Sequence, residues 1–172
     1  VTYTPSITTD QVFTGLAAWL SDALGLVAGT TVLQELQNRA AAPAGGFVNM
    51  LHKAQKRLAG NEVDYSPTAG TTTTTQATEF AIQVDAYGAA SGDWASIIAT
   101  MWASPLAIDF LASYGITPLW ADNPLELSIV DSEDEFEERW ITVLHLQYAP
   151  SMTASAQFCE AAHINVINAL TL

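Results

Sequence analysis

The chain has 172 residues, 49% of them apolar and 13% charged, which is long and apolar enough to bury a core and excludes disorder over the whole length. The 18 acidic and 5 basic residues leave a net charge of −13, which excludes a protein that holds nucleic acid by its phosphates. The single cysteine, Cys159, excludes an intramolecular disulfide and a cysteine metal cluster, and its apolar setting predicts a buried structural thiol in a reducing compartment.

A helix is predicted over 9–24. Thr8 and Gln11 have the spacing of a capping box. Val12, Phe13, Leu16, Trp19, Leu20 and Leu24 recur at helical spacing as one stripe, and Gly25 ends it. Residues 1–5 lack the basic start of a secretory signal, and the uncharged run 23–34 is too short to cross a bilayer, so a soluble chain is expected. Thr31, Val32 and Leu33 begin a strand. Residues 42–46 read as a turn, and Phe47 to Leu51 as a further strand. Over 53–58, helix propensity and strand context compete. Lys53, Lys56 and Arg57 are three of the five bases. The plain reading is a solvated patch; the sharper one is a docking spot for another subunit's acidic surface.

Residues 66–75 are rich in Thr, Gly and Pro and read as a flexible loop or hairpin tip. The clearest strand follows. Phe80, Ile82, Val84 and Ala86 point one way, and Glu79, Gln83, Asp85 and Tyr87 the other, as in an antiparallel sheet with one polar face. Gly88 ends it. Ser91 is the expected N-cap of a helix whose apolar face is Trp94, Ile97, Ile98, Met101 and Trp102. Ser104 and Pro105 start another, with Leu106, Phe110, Leu111 and Tyr114 as its packing face and Gly115 as its end.

Residues 117–123 read as a short extended segment. The run 131–138 is acidic, with Asp131, Glu133, Asp134, Glu135, Glu137 and Glu138. It leads into a strand over 136–148 that puts Trp140, Thr142, Leu144, Leu146 and Tyr148 on one face. A last strand is predicted over 157–167, with Phe158, Ala162, Ile164 and Val166 on one face. Strands and helices are segregated. That predicts an α+β fold, an antiparallel or mixed sheet with helices on one face, as a single domain over 1–172.

Local catalytic signatures are missing. There is no phosphate-binding Gly loop, no His-Glu-x-x-His helix and no Gly-x-Ser-x-Gly elbow. The acidic run lacks the Asp-x-Asp-x-Asp-Gly order of a calcium loop. His145 and His163 fall in predicted strands and read as ordinary sheet residues rather than a ligand pair. No cofactor or metal is expected. The competing class is a hydrolase built from dispersed carboxylates with His145 or His163.

Four segments in order resemble the neck or tail-terminator proteins of tailed phages. The first is the N-terminal amphipathic helix followed by Gln37-Asn38-Arg39, Pro43 and Phe47-Val48. The second is Gln83-Val84-Asp85-Ala86-Tyr87-Gly88 running into an Ala-rich helix. The third is Leu119-Trp120-Ala121-Asp122-Asn123-Pro124. The fourth is Phe136-Glu137-Glu138-Arg139-Trp140 opening a long strand. They span about residues 10–168. The chain departs from the pattern at Ala40-Ala41-Ala42 and in the Thr run 71–75.

The resemblance implies a structural virion subunit, assembled in the host cytoplasm, that forms a hexameric ring at the head-proximal end of the tail. Such a ring stops tube growth and joins the tail to the neck or head. Its partners are further copies of itself and tail-tube and neck or connector proteins. DNA passes through its lumen without specific binding, and no membrane is involved. The runner-up within the virion is a tube or baseplate subunit. The resemblance favours strand over 53–58. Interface or lumen candidates are Arg39, Lys53, Lys56, Arg57, Asp131, Glu133, Asp134, Glu135 and Arg139. The plain reading of 131–138 is a solvated acidic loop; the sharper one is that part of it borders the channel, where it would repel DNA. Arg139 is expected to pair with Asp85 or Glu79 on an adjoining strand, within one chain.

Overall fold

The computed structural model describes residues 3–34, 43, 45–127, 129–130 and 136–156. In chain order the elements are α1 (Thr9–Leu24), β1 (Val32–Gln34), β2 (Phe47–Arg57), β3 (Glu62–Ser66), β4 (Thr71–Thr75), β5 (Thr78–Tyr87), α2 (Ser91–Met101) and α3 (Pro105–Ala112). They continue with β6 (Ile116–Ala121), β7 (Leu125–Glu126), β8 (Ile129–Val130), β9 (Phe136–Glu137), β10 (Arg139–Tyr148) and β11 (Ser151–Ser155). The fold is α+β, as the segregated pattern predicts. No single helix among the described residues is long and apolar enough to cross a membrane.

α1 forms as its sequence dictates. Thr8 Oγ1 accepts from the Gln11 N–H at 3.2 Å, and Gln11 Oε1 accepts from the Thr8 N–H at 2.8 Å. Gly25 then stops the helix at φ 67°, a conformation that glycine adopts without steric cost. Val12, Phe13, Leu16, Trp19 and Leu20 are buried along one stripe. Gly15 lies within that stripe, and a Cβ there would meet Tyr114 at 2.8 Å and Ile116 at 2.9 Å. The absent side chain is what lets α1 lie close on the chain entering β6.

The main sheet has the order β1-β2-β5-β10-β6, with β7 on β10. β1 is parallel to β2 and the other pairs are antiparallel. β5 is central. Phe80, Ile82, Val84 and Ala86 face the helices together with Leu144, Leu146 and Tyr148 of β10. Phe80 meets Phe13 and Tyr148 edge-on at 6.0 and 5.8 Å and stacks on His52 at 4.5 Å. Trp102 is fully buried, and its Nε1–H donates to the His145 carbonyl at 3.0 Å, so the one polar atom of a large apolar group is satisfied.

Three helix expectations need correction. Ser91 is the first helical residue of α2, and Ala90 is the N-cap, without a side-chain bond. Ser91 is fully buried with its N–H on the Gly88 carbonyl, so packing has drawn it inside the helix. α2 turns Ala95, Ile98 and Trp102 inward and leaves Ile97 exposed. α2 and α3 are bent by 81°. That bend lets α3 bury Ala107 and Leu111, one turn apart, while Leu106 is 71% exposed. Ser104 and Pro105 do start α3 as expected, with Ser104 Oγ accepting from the Ala107 N–H.

The Thr-rich segment also differs from its reading as a loop. Thr71–Thr75 is a strand, and the turn is confined to residues 67–70. β-branched threonines suit a pleated, half-buried surface, and Thr73 Oγ1 bonds Thr153 Oγ1 across the pair at 2.9 Å. The predicted single strand over 136–148 is broken at Glu138, whose carbonyl accepts from Gly88 N–H. The predicted strand over 157–167, Cys159 and His163 lie outside the described residues.

β3, β4 and β11 form a second sheet in the order β11-β4-β3. β4 leads into β5 through Gln76 and Ala77, and β10 leads into β11 through Ala149 and Pro150. The Gln76 N–H bonds the Pro150 carbonyl at that joint. The second sheet is thus an arm, a continuation of β2, β5 and β10 beyond the joint. Among the described residues no helix packs extensively on it.

Candidate functional site

The basic strand is positioned by β2. Its ladder with β5 shifts register between His52 and Ala54, which places a bulge at Lys53. Bulges and lysines are common guards of a sheet edge. Lys53, Lys56 and Arg57 are all exposed, but they do not act together. Lys53 Nζ donates to Gln83 Oε1 at 3.1 Å on the sheet face away from the helices. Lys56 is in register with Glu79 on that same open face, whereas Arg57 is in register with Thr78 on the helix side.

The open face holds a charged relay. Gln83 Nε2 donates to Asp85 Oδ1 at 2.8 Å, and Arg139 Nη2 donates to Asp85 Oδ2 at 2.6 Å. The Asp85 side chain is 2% exposed and that of Arg139 24%. Tyr87 lies under the guanidinium at 5.5 Å and stacks on Phe47 at 4.5 Å. Burial disfavours the Arg139 charge. The hydrogen bond and charge of Asp85, helped by Tyr87, outweigh that and hold its pKa above the ordinary value. The expected partner of Arg139 is therefore Asp85. Glu79 instead contacts His145 Nδ1 at 3.0 Å, with Trp120 stacked on that imidazole at 4.3 Å and Asp122 3.6 Å from its Nε2.

The arm has two unlike faces, which the ladder assigns. Val63 pairs with Thr74 and Thr74 with Met152; Tyr65 pairs with Thr72 and Thr72 with Ala154. One face therefore carries Val63, Tyr65, Met152 and Ala154 with two threonine methyls. The other carries Glu62, Asp64 and hydroxyls. Val63 is 63% exposed and Met152 42%. At the joint, on the helix side of the sheet, a cleft of about 510 Å³ is lined by Gln55, Arg57, Thr74, Gln76, Pro150 and Met152, among others. Gln76 Oε1 faces inward without a hydrogen-bond partner among the described residues.

Of the candidate residues, the structure places Lys53, Lys56, Arg57 and Arg139. It links Lys53 and Arg139 through Gln83 and Asp85, and puts Arg57 in the cleft. Arg39, Asp131, Glu133, Asp134 and Glu135 lie outside the described residues. The arm and its cleft were missed in the sequence, because a run of identical threonines shows no alternation. Among the described residues no group of three His, Cys, Asp or Glu side chains is placed to share a metal ion.

Among the described residues, the site is a sheet layered by helices on one side, with a charged open face and an amphipathic arm on which no helix packs extensively. The phage neck terminator protein family matches residues 10–171, nearly the whole chain, and the chain belongs to that family. It is thus a structural protein of the phage neck, in contact with other tail or head proteins. No curated protein matches it.

Proposed function

We propose that this chain is a ring-forming subunit, six copies to a ring, that caps the head-proximal end of the tail tube and joins it to the neck or head. DNA passes through the lumen, and the subunit carries out no catalysis. The observation that carries this reading is the arm. A three-stranded sheet gains stability from a buried apolar face, and the arm offers one on which no helix among the described residues packs extensively. A repeated copy is an economical cover, since a head-to-tail contact closes into a ring.

Charge supports the same reading. A net charge of −13 suits a channel that DNA must slide through. Asp131, Glu133, Asp134 and Glu135 are the residues proposed to border that channel, and Arg39 and the β2 bases the ones proposed to meet neighbouring subunits. Native mass spectrometry tests the ring. Six copies of the 18.4 kDa chain are expected in one closed species; a monomer at every concentration contradicts it.

A further inference from the structure

Two of the apolar patches exposed on this molecule lie beside charges of opposite sign. The first is a knob on the helical layer. Leu106 is 71% exposed and Ile97, which lines the same surface, 38%. The second is the cleft at the root of the arm, lined by Pro150, Met152 and Thr74 among others.

The charges divide along the same line. The three helices carry Asp10, Asp22, Asp93 and Asp109 and no basic residue. Asp22 lines the same groove as Leu106 and Ile97. The cleft holds Arg57, whereas Lys53 and Lys56 lie on the other face of the sheet. A knob-to-knob contact would face aspartates with aspartates, and a cleft-to-cleft contact would face arginine with arginine. Only the unlike pairing brings opposite charges together, and like-charge juxtaposition is a strong discriminator between partners.

Each patch also has a hydrogen-bonding group without a partner among the described residues. Gln76 Oε1 is a buried acceptor without a donor among the described residues. Gln76 Nε2 is fixed by the Ala59 and Ala77 carbonyls, so the oxygen cannot be exchanged for the nitrogen without losing both bonds. At the knob, the N–H of Leu106 lies in the first turn of α3, outside the intrahelical ladder. Ser104 Oγ takes the neighbouring Ala107 N–H instead.

Resting on the ring reading above, we propose that Leu106, with Ile97, of one copy seats in the cleft formed by Arg57, Gln76 and Met152 of the next. The contact is heterologous. Each subunit presents a knob to one neighbour and a cleft to the other, which is the arrangement that closes a ring rather than a two-fold dimer.

The test uses the full chain, Leu106→Asp, Met152→Asp, and an equimolar mixture of the two variants, each sized by light scattering. Both positions are exposed, so circular dichroism is expected to show unaltered folding. Wild type is expected to self-associate. Each variant is expected to lose association by about 30-fold or more, as for the loss of a central contact. The mixture is expected to form a 1:1 heterodimer, since one intact knob still meets one intact cleft, and its recovery also shows that both variants fold. Serine at the same positions is expected to give the same pattern more weakly. If wild type and both variants all assemble alike, the knob-in-cleft contact is wrong and the ring stands. If Leu106→Asp alone dissociates the assembly and the mixture recovers nothing, the contact is knob to knob. A monomeric wild type overturns the ring reading and this contact with it.

Discussion

Arg139 and Asp85, which stand on neighbouring strands 54 residues apart in the chain, are joined at 2.6 Å with the carboxylate almost wholly buried. Asp85 accepts from Arg139 through one oxygen and from Gln83 through the other, so both oxygens have donors. Removing one member leaves a charge without its partner in a partly dry site. That is where a buried pair is costly to break, whereas replacing both members together is often close to neutral.

Asp85→Asn is accordingly expected to destabilise the fold by about 2–3 kcal/mol in urea unfolding. Asp85→Asn combined with Arg139→Met is expected to recover much of that loss. A double variant as unstable as the sum of its parts would show that the two side chains act independently.

Tyr148 sets an alkaline limit. Burial raises its phenol above the ordinary 10.0. The folded chain therefore keeps a proton that the unfolded chain releases. The stabilisation is complete below the unfolded-chain value and is lost as the pH rises through the folded one. Tyr148→Phe removes the titrating group, and its melting temperature is expected to fall less steeply than that of wild type above pH 10. Parallel curves for the two proteins would contradict this.

Gly15 is a packing residue. A branched side chain there must displace Tyr114 or Ile116, and overpacking of this kind costs about 1–3 kcal/mol. Gly15→Val is expected to lower stability by that amount in chemical denaturation. An unchanged midpoint would mean that α1 can move away from β6 without penalty.

The arm separates assembly from folding. Val63 is 63% exposed on its apolar face, so Val63→Ser is expected to change monomer stability by no more than about 0.5 kcal/mol. It is expected to weaken self-association measured by sedimentation. A loss of stability with association intact would reverse that assignment.

What the sequence disclosed follows the range of the interactions involved. α1 was legible down to its cap, stripe and stop, because Thr8, Gln11 and Gly25 act within a few residues. β5 and the face of β10 were legible through alternation, and Arg139 was expected to meet Asp85 or Glu79. Alternation marked Asp85 as a solvent-face residue, but its burial comes with Arg139 on the neighbouring strand and Gln83 two residues away on its own, and the Arg139 contact has no local trace. The bulge at Lys53, which shifts the register of β2 on β5, is equally silent in the sequence. Leu106 and Ile97 read as core because helical spacing shows a stripe and not the 81° bend between α2 and α3. The arm was hidden in uniform threonines whose partners, in β3 and β11, lie on either side of the chain.

The most direct test of the ring-forming neck subunit is electron microscopy of phage particles with this chain located by a bound antibody fragment or an added tag. A single ring of density at the head-proximal end of the tail, with DNA able to pass through its centre, is the predicted result. Density repeating along the whole tail, or confined to its distal end, would contradict it.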